Sequence, residues 1–208
     1  NVVSTTLEHH SNLLPWRTRC TVRLAPLTPE GQPDLAAAEA AIDEHTRIIA
    51  VTGCSNVTGA QVKVAAWSAM AHRHGLPLLV DAAQSAAHWQ QDVSSLACDY
   101  LVFSGHKLLA PPGAGVLYGR REALAALTPP SLGGGSVARV NPDLSYELLD
   151  LPWRLEAGTP DVAAVIGLAA AIDYLDDLGM DAIAEREASL RTRLDAEIAA
   201  IPALRAVL

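Results

Sequence analysis

Short apolar runs, each closed by a polar or glycine-containing stretch, recur along this chain and set its expected elements. Val2-Val3-Ser4-Thr5-Thr6 is β-branched, Val22-Arg23-Leu24 is a shorter run, and Arg47-Ile48-Ile49-Ala50-Val51-Thr52 is almost continuously apolar. Leu76-Pro77-Leu78-Leu79-Val80, Tyr100-Leu101-Val102-Phe103 and Val116-Leu117-Tyr118 follow. Runs of this length without polar alternation read as strands covered on both faces, as in a parallel sheet. Between them the period becomes helical. Asp34 caps an alanine-rich helix over 35–42, and Val64, Ala65, Trp67 and Ala71 recur at helical spacing over 62–74, closed by Gly75. Asp92 opens a short helix over 92–98; further helices cover 121–127, 162–178 and 181–201, the last two separated by Gly179. Residues 204–208 read as one more strand, and 137–151 as an excursion without a period.

Strands alternating with helices predict an α/β fold, a mostly parallel sheet flanked by helices in three layers. Ligands bind such sheets beyond the C-terminal ends of the strands. Two of those ends carry chemistry. One run leads into Asp81-Ala82-Ala83-Gln84, the other into Ser104-Gly105-His106-Lys107. An acid and an amine on one sheet rim suit pyridoxal phosphate, which takes a lysine at its aldehyde and a carboxylate at its pyridinium nitrogen. A salt bridge between two strand ends fits the spacing equally well.

Composition narrows the field. The 208 residues suffice for one large domain, and 50% hydrophobic with 18% charged residues describes a globular chain. A formal net charge of −8 argues against a nucleic-acid or anionic-membrane surface, which needs clustered Lys and Arg. No apolar run approaches the ~18 residues of a membrane span, and no signal-peptide pattern opens the chain. Cys20, Cys54 and Cys98 lack CxxC spacing, so neither a disulfide framework nor a metal site is indicated. A cytoplasmic protein is the simplest expectation.

The segment from Val80 through Arg120 resembles the aspartate-to-lysine core of the class V aminotransferase family, fold type I, and is most similar to cysteine desulfurases of the selenocysteine-lyase type. Four more segments carry the resemblance in order: Glu8-His9-His10-Ser11-Asn12-Leu13-Leu14-Pro15-Trp16, Ser55-Asn56-Val57-Thr58-Gly59, Gly133-Gly134-Gly135-Ser136, and Pro152-Trp153-Arg154-Leu155-Glu156-Ala157-Gly158-Thr159-Pro160. Any one alone is weak; five in order are specific.

The resemblance implies a cofactor, pyridoxal 5'-phosphate, and roles for particular residues. Lys107 is the Schiff-base lysine and the base at Cα, Asp81 the partner of the ring nitrogen, and His9 the residue stacked on the ring, handling protons. Ala83 lies against the opposite face. Asn56 reaches the phenolic oxygen, Gln84 the phenolic oxygen or the phosphate side, and Ser104 and His106 the phosphate. Thr159, with Gly158, reaches the phosphate of a neighbouring subunit, which implies a homodimer. His10 and Asn12 support the loop, Arg154 and Glu156 fix another, and Cys54 is a packed thiol.

The implied reaction is removal of sulfur from L-cysteine to give alanine, with a possible sulfur-acceptor protein as partner. A C–S lyase, selenocysteine lyase, epimerase or aminotransferase uses the same machinery, and a scaffold that kept the fold without catalysis is the alternative of another class. The chain opens on Asn1 in mid-fold. Family members are longer, so an N-terminal arm is expected before it, and after it a small domain bearing a substrate-binding arginine and the sulfur-accepting cysteine. On this reading residues 1–180 form the cofactor-binding domain, and 181–208 connect to the small one. The link between Trp16 and Pro26 is shorter than the family's, which suggests that residues of a helix are missing there.

Overall fold

The computed structural model describes residues 1–201. Eight strands form: β1 (Val2–Thr5), β2 (Val22–Ala25), β3 (Ile48–Thr52), β4 (Leu78–Asp81), β5 (Tyr100–Ser104), β6 (Gly115–Gly119), β7 (Val137–Val140) and β8 (Tyr146–Leu148). The helices are α1 (Leu14–Arg17), α2 (Leu35–Ala40), α3 (Val64–Arg73), α4 (Val93–Leu96), α5 (Arg121–Ala125), α6 (Val162–Leu178) and α7 (Met180–Ala199). The first six strands make one sheet in the order β2-β1-β3-β4-β5-β6, parallel except for β6, which runs antiparallel to β5.

The central apolar runs, β1, β3, β4 and β5, become strands because both of their faces are covered. Val3, Ile49, Val51, Leu78, Val80 and Leu101 are buried on one face with Trp67, Met70 and Ala71 of α3 packed into the same core, and Val2, Ala50 and Tyr100 are buried on the other. β4 starts two residues later than the apolar run, at Leu78, because Pro77 has no N–H for the ladder; its carbonyl still accepts from Ile49 N at 3.0 Å. Caps fall where expected: Asp34 accepts from Ala37 N and Asp92 from Ser94 N, each at 2.9 Å. Gly179, at φ +81, separates α6 from α7.

One expectation needs correction. Residues 137–151 hold an antiparallel hairpin, β7 with β8, whose strands are largely exposed. Exposure on both faces removes the alternation that marks a strand in sequence. The short link after β1 contracts to the one-turn α1, yet β2 keeps its parallel ladder with β1 from Val2↔Val22 to Thr5↔Ala25. What it loses is cover, since β2 is an only partly buried edge strand. The strand expected over 204–208 lies outside the described residues.

A second, smaller core decides where the lysine loop sits. Ala110, Leu168 and Ala171 pack with Ala114 and Val116, pinning α6 against the 3₁₀ turn Gly105–Leu108. The fit has no slack at Gly167, where a Cβ would come within 2.6 Å of the Pro111 ring. Alanine gains at most ~1 kcal/mol of helix propensity over glycine, whereas overpacking against a rigid ring costs about 1–3 kcal/mol. Gly167→Ala should therefore lower stability by about 1–2 kcal/mol in urea unfolding, and an unchanged or raised midpoint would show that the contact is slack.

Candidate active site

The sheet register assembles the site. Thr52 of β3 pairs with Asp81 of β4, and Asp81 with Val102 of β5, so adjacent tips end side by side. β1 runs the same way, and the loops leaving β1, β3, β4 and β5 enclose a cavity of about 440 Å³. The sheet order reverses between β1 and β3, the place where an open α/β sheet leaves a crevice. His9, Asn56, Asp81, Ala83, Gln84, Ser104, His106 and Lys107 all line this cavity. Thr159 does not; it is exposed in the loop before α6.

Asp81 closes β4 with its side chain only 9% exposed. Its Oδ1 accepts from Ala83 N at 2.9 Å, which turns the chain sharply after the strand, and among the described residues Oδ2 makes no hydrogen bond. Lys107 stands half-buried on the turn after β5. Among the described residues no carboxylate lies within salt-bridge distance of Lys107, so the surface ion pair that the spacing also allowed does not form. The acid and the amine face one cavity, each free of the other.

His9 is held by its own loop. Ser11 N donates to Nδ1 at 3.2 Å, and Ser11 Oγ lies 3.1 Å away, which puts the proton of a neutral ring on Nε2. Asn12 supports the turn as expected: its Oδ1 accepts from Trp16 Nε1 at 3.2 Å. Asn56 sits exposed in a turn that Ser55 Oγ organises by accepting from Val57 N and Thr58 N. Arg154 ties its loop to α5 by donating to Ala125 O at 2.7 Å, and Glu156 is exposed. His88, half-buried, bonds Glu187 of α7 through Nδ1 at 2.7 Å.

Two buried polar residues, Thr52 and Glu8, went unassigned in the sequence. Cys54, expected as a packed thiol, is buried with its pKa pushed up by burial, and with Thr52 it lines the cavity. Glu8 lies below it, 8% exposed. It accepts three hydrogen bonds, from Thr5 Oγ1 at 2.8 Å, Thr52 N at 2.9 Å and Asn12 Nδ2 at 2.7 Å. A carboxylate beside a histidine pair reads as loop polarity, and only its position one residue past buried Leu7 hints otherwise.

An open, mostly parallel sheet flanked by helices, with an acid and an amine at neighbouring strand tips, defines a three-layer α/β/α large domain of fold type I. The chain matches the Aminotransferase class-V family model over residues 1–208 and belongs to that family. It is 45% identical to a cysteine desulfurase of Enterobacter sp. (strain 638), over 98% of this chain and 52% of that protein. A cysteine desulfurase of Klebsiella pneumoniae (strain 342) is 43% identical, over 100% and 51%. Among solved structures, the apo cysteine desulfurase from Thermococcus onnurineus NA1 superposes with a TM-score of 0.84 at 40% identity, over 93% of this chain and 50% of that one. The cysteine desulfurase CsdA (S-sulfonic acid) from Escherichia coli gives 0.83 at 40% identity, over 87% and 46%. The chain spans about half the length of the curated relatives it matches.

Burial is the largest influence on Glu8 and raises its pKa to about 7; the bonds from Thr52, Asn12 and Thr5 oppose it, and the charge of Asp81 adds to it. An unfolded chain releases that proton near the ordinary value of about 4.3. Because the folded value is raised, the stabilisation is fully present below about pH 4.3 and is lost as pH rises toward about 7, on the order of 3 kcal/mol in all. Urea unfolding across that window should show this decline in the wild type and a flatter profile in Glu8→Gln. Parallel profiles would contradict the burial assigned to this carboxyl.

Proposed function

We propose that this chain is the cofactor-binding part of a pyridoxal-phosphate-dependent, cysteine desulfurase-like enzyme that releases sulfur from L-cysteine and leaves alanine. One observation carries the reading: Asp81 and Lys107, delivered by adjacent parallel strands, open onto one cavity without pairing with each other. The similarity to cysteine desulfurases at 43–45% identity supports the choice of reaction within the family.

The donor set fits the cofactor. Asp81 offers an unpaired oxygen to a ring nitrogen, and Lys107 an amine to the aldehyde. Ser104 and His106 supply a hydroxyl and an imidazole for the phosphate, and Asn56 and Gln84 offer amides to the phenolic oxygen. Ala83 and His9 both line the cavity, and they would flank the ring, the small Ala83 side chain permitting close approach. Bound there, the cofactor supplies an electron sink for charge developing at the substrate Cα.

The chain's own groups do the rest. Asp81 would hold a proton at the ring nitrogen. Lys107 would hold the cofactor at its aldehyde carbon, and its amine, once free, would serve as the base at the substrate Cα. His9 flanks the ring and exchanges a proton with the substrate. We assign the sulfur-accepting thiolate to none of this chain's cysteines, since Cys54 and Cys98 are buried with their pKa values raised and Cys20 does not line the cavity. The same reading makes the enzyme a cytoplasmic homodimer in which exposed Thr159 serves the partner's phosphate site, and which passes sulfur to an acceptor protein. Among the described residues no helix is long and apolar enough to cross a membrane.

Lys107→Ala tests the assignment. The wild type should gain visible absorbance when pyridoxal phosphate is added, and the variant should lose both that band and about 10³-fold or more in desulfurase rate. A variant that keeps colour and activity would remove Lys107 from its role. A wild type that stays colourless in excess cofactor would favour the non-catalytic scaffold.

A further inference from the structure

The proposed chemistry uses His9, Asp81, His106 and Lys107 on the cavity wall but not the carboxyl beneath it. Glu8 joins three parts of the fold. Thr5 belongs to β1, Thr52 to the end of β3, and Asn12 to the 3₁₀ turn His10–Asn12 that follows His9. Each donates to Glu8: Thr5 Oγ1 and Thr52 N to Oε1, Asn12 Nδ2 to Oε2. The turn itself is short, a single 3₁₀ turn whose backbone bonds are Asn12 N to His9 O at 2.9 Å and Leu13 N to His10 O at 3.1 Å. So brief a turn is weak alone, and a buried three-way anchor supplies what its own hydrogen bonds do not.

We propose that Glu8 is a positioning residue for the reaction: it locks the His9 turn to the tips of β1 and β3 and so fixes the imidazole over the ring-binding cavity. This rests on the pyridoxal-phosphate reading above. The groups facing Glu8 are Thr5, Asn12, the Thr52 amide and, by charge, Asp81 of β4. The first three are donors, so the carboxylate form satisfies all of them. Glutamine keeps the size and accepts from Thr5 and Thr52, but it turns an NH₂ toward the Asn12 NH₂, where two donors oppose each other. The anchor to the turn is the one that fails.

The consequence is local. In the apoprotein, Glu8→Gln should speed hydrogen exchange of the peptide carrying residues 7–13 by about tenfold or more while leaving β4 and β5 protected. In the protein loaded with pyridoxal phosphate, it should weaken the visible circular dichroism of the bound cofactor, which depends on what stands against the ring. Turnover should fall about 10–100-fold with little change in KM, as for a group displaced by part of an ångström. Since Glu8 acts through His9, Glu8→Gln should cost almost nothing further in a His9→Ala background.

Asn12→Ala releases the same anchor from its other end and should reproduce these effects if Glu8→Gln does not fold. Normal visible dichroism in whichever variant folds, or losses that add in full to those of His9→Ala, would overturn the proposal. A wild type without any visible band on loading would instead defeat the cofactor reading, so the two failures are distinguishable.

Discussion

The parallel ladder between β4 and β5 is the constraint on which the rest of the structure depends. Its register, Asp81 opposite Val102, places the acid two residues from the end of a neighbouring strand whose next turn carries the lysine. Adjacent strands lie about 4.8 Å apart, so the separation of the two groups is set by backbone hydrogen bonds rather than by flexible side chains. A shift of one residue along that ladder would send Asp81 to the other face of the sheet. Burial guards against it, because Leu78, Val80 and Leu101 are all inside the core. Stability and chemistry here draw on the same residues.

Around that pair the fold builds outward in decreasing order of rigidity. The strands are buried, the turn bearing Lys107 is clamped by α6 through Gly105, Gly167 and Leu168, and the His9 turn is fastened from below by Glu8. Asn56 stands on an exposed loop that Ser55 shapes by side-chain bonds alone. Groups that would grip a ring are thus carried on the stiffest elements. Groups reaching toward its edge sit on looser ones. A cofactor that must stay in place while substrates exchange suits that division.

Most of the sheet was legible in the sequence because parallel strands covered on both faces leave continuous apolar runs, and Asp34, Asp92 and Gly179 mark helix ends by their own chemistry. The residues at the strand tips were legible by resemblance, and the structure brings the eight positions expected on this chain's own site onto one cavity; Thr159, expected at a neighbouring subunit, lies outside it. What stayed hidden lacked a local signal. The β7–β8 hairpin is exposed on both faces and so has no alternation to read. Glu8 is tied to β3 through the Thr52 amide, 44 residues away, a distance no pattern reports. The reversal of β6 likewise depends on how five residues of β5 pair, not on its own composition.

The chain holds just two lysines, Lys63 at the start of α3 and Lys107 at the cavity, which makes the central claim unusually easy to test. Borohydride treatment of the protein loaded with pyridoxal phosphate, followed by peptide mass mapping, reports which amine holds the cofactor. Lys107 should carry the added mass with Lys63 unmodified, and Asp81→Asn should weaken cofactor retention at the same site. Cofactor fixed on Lys63, or on neither lysine, would contradict that claim.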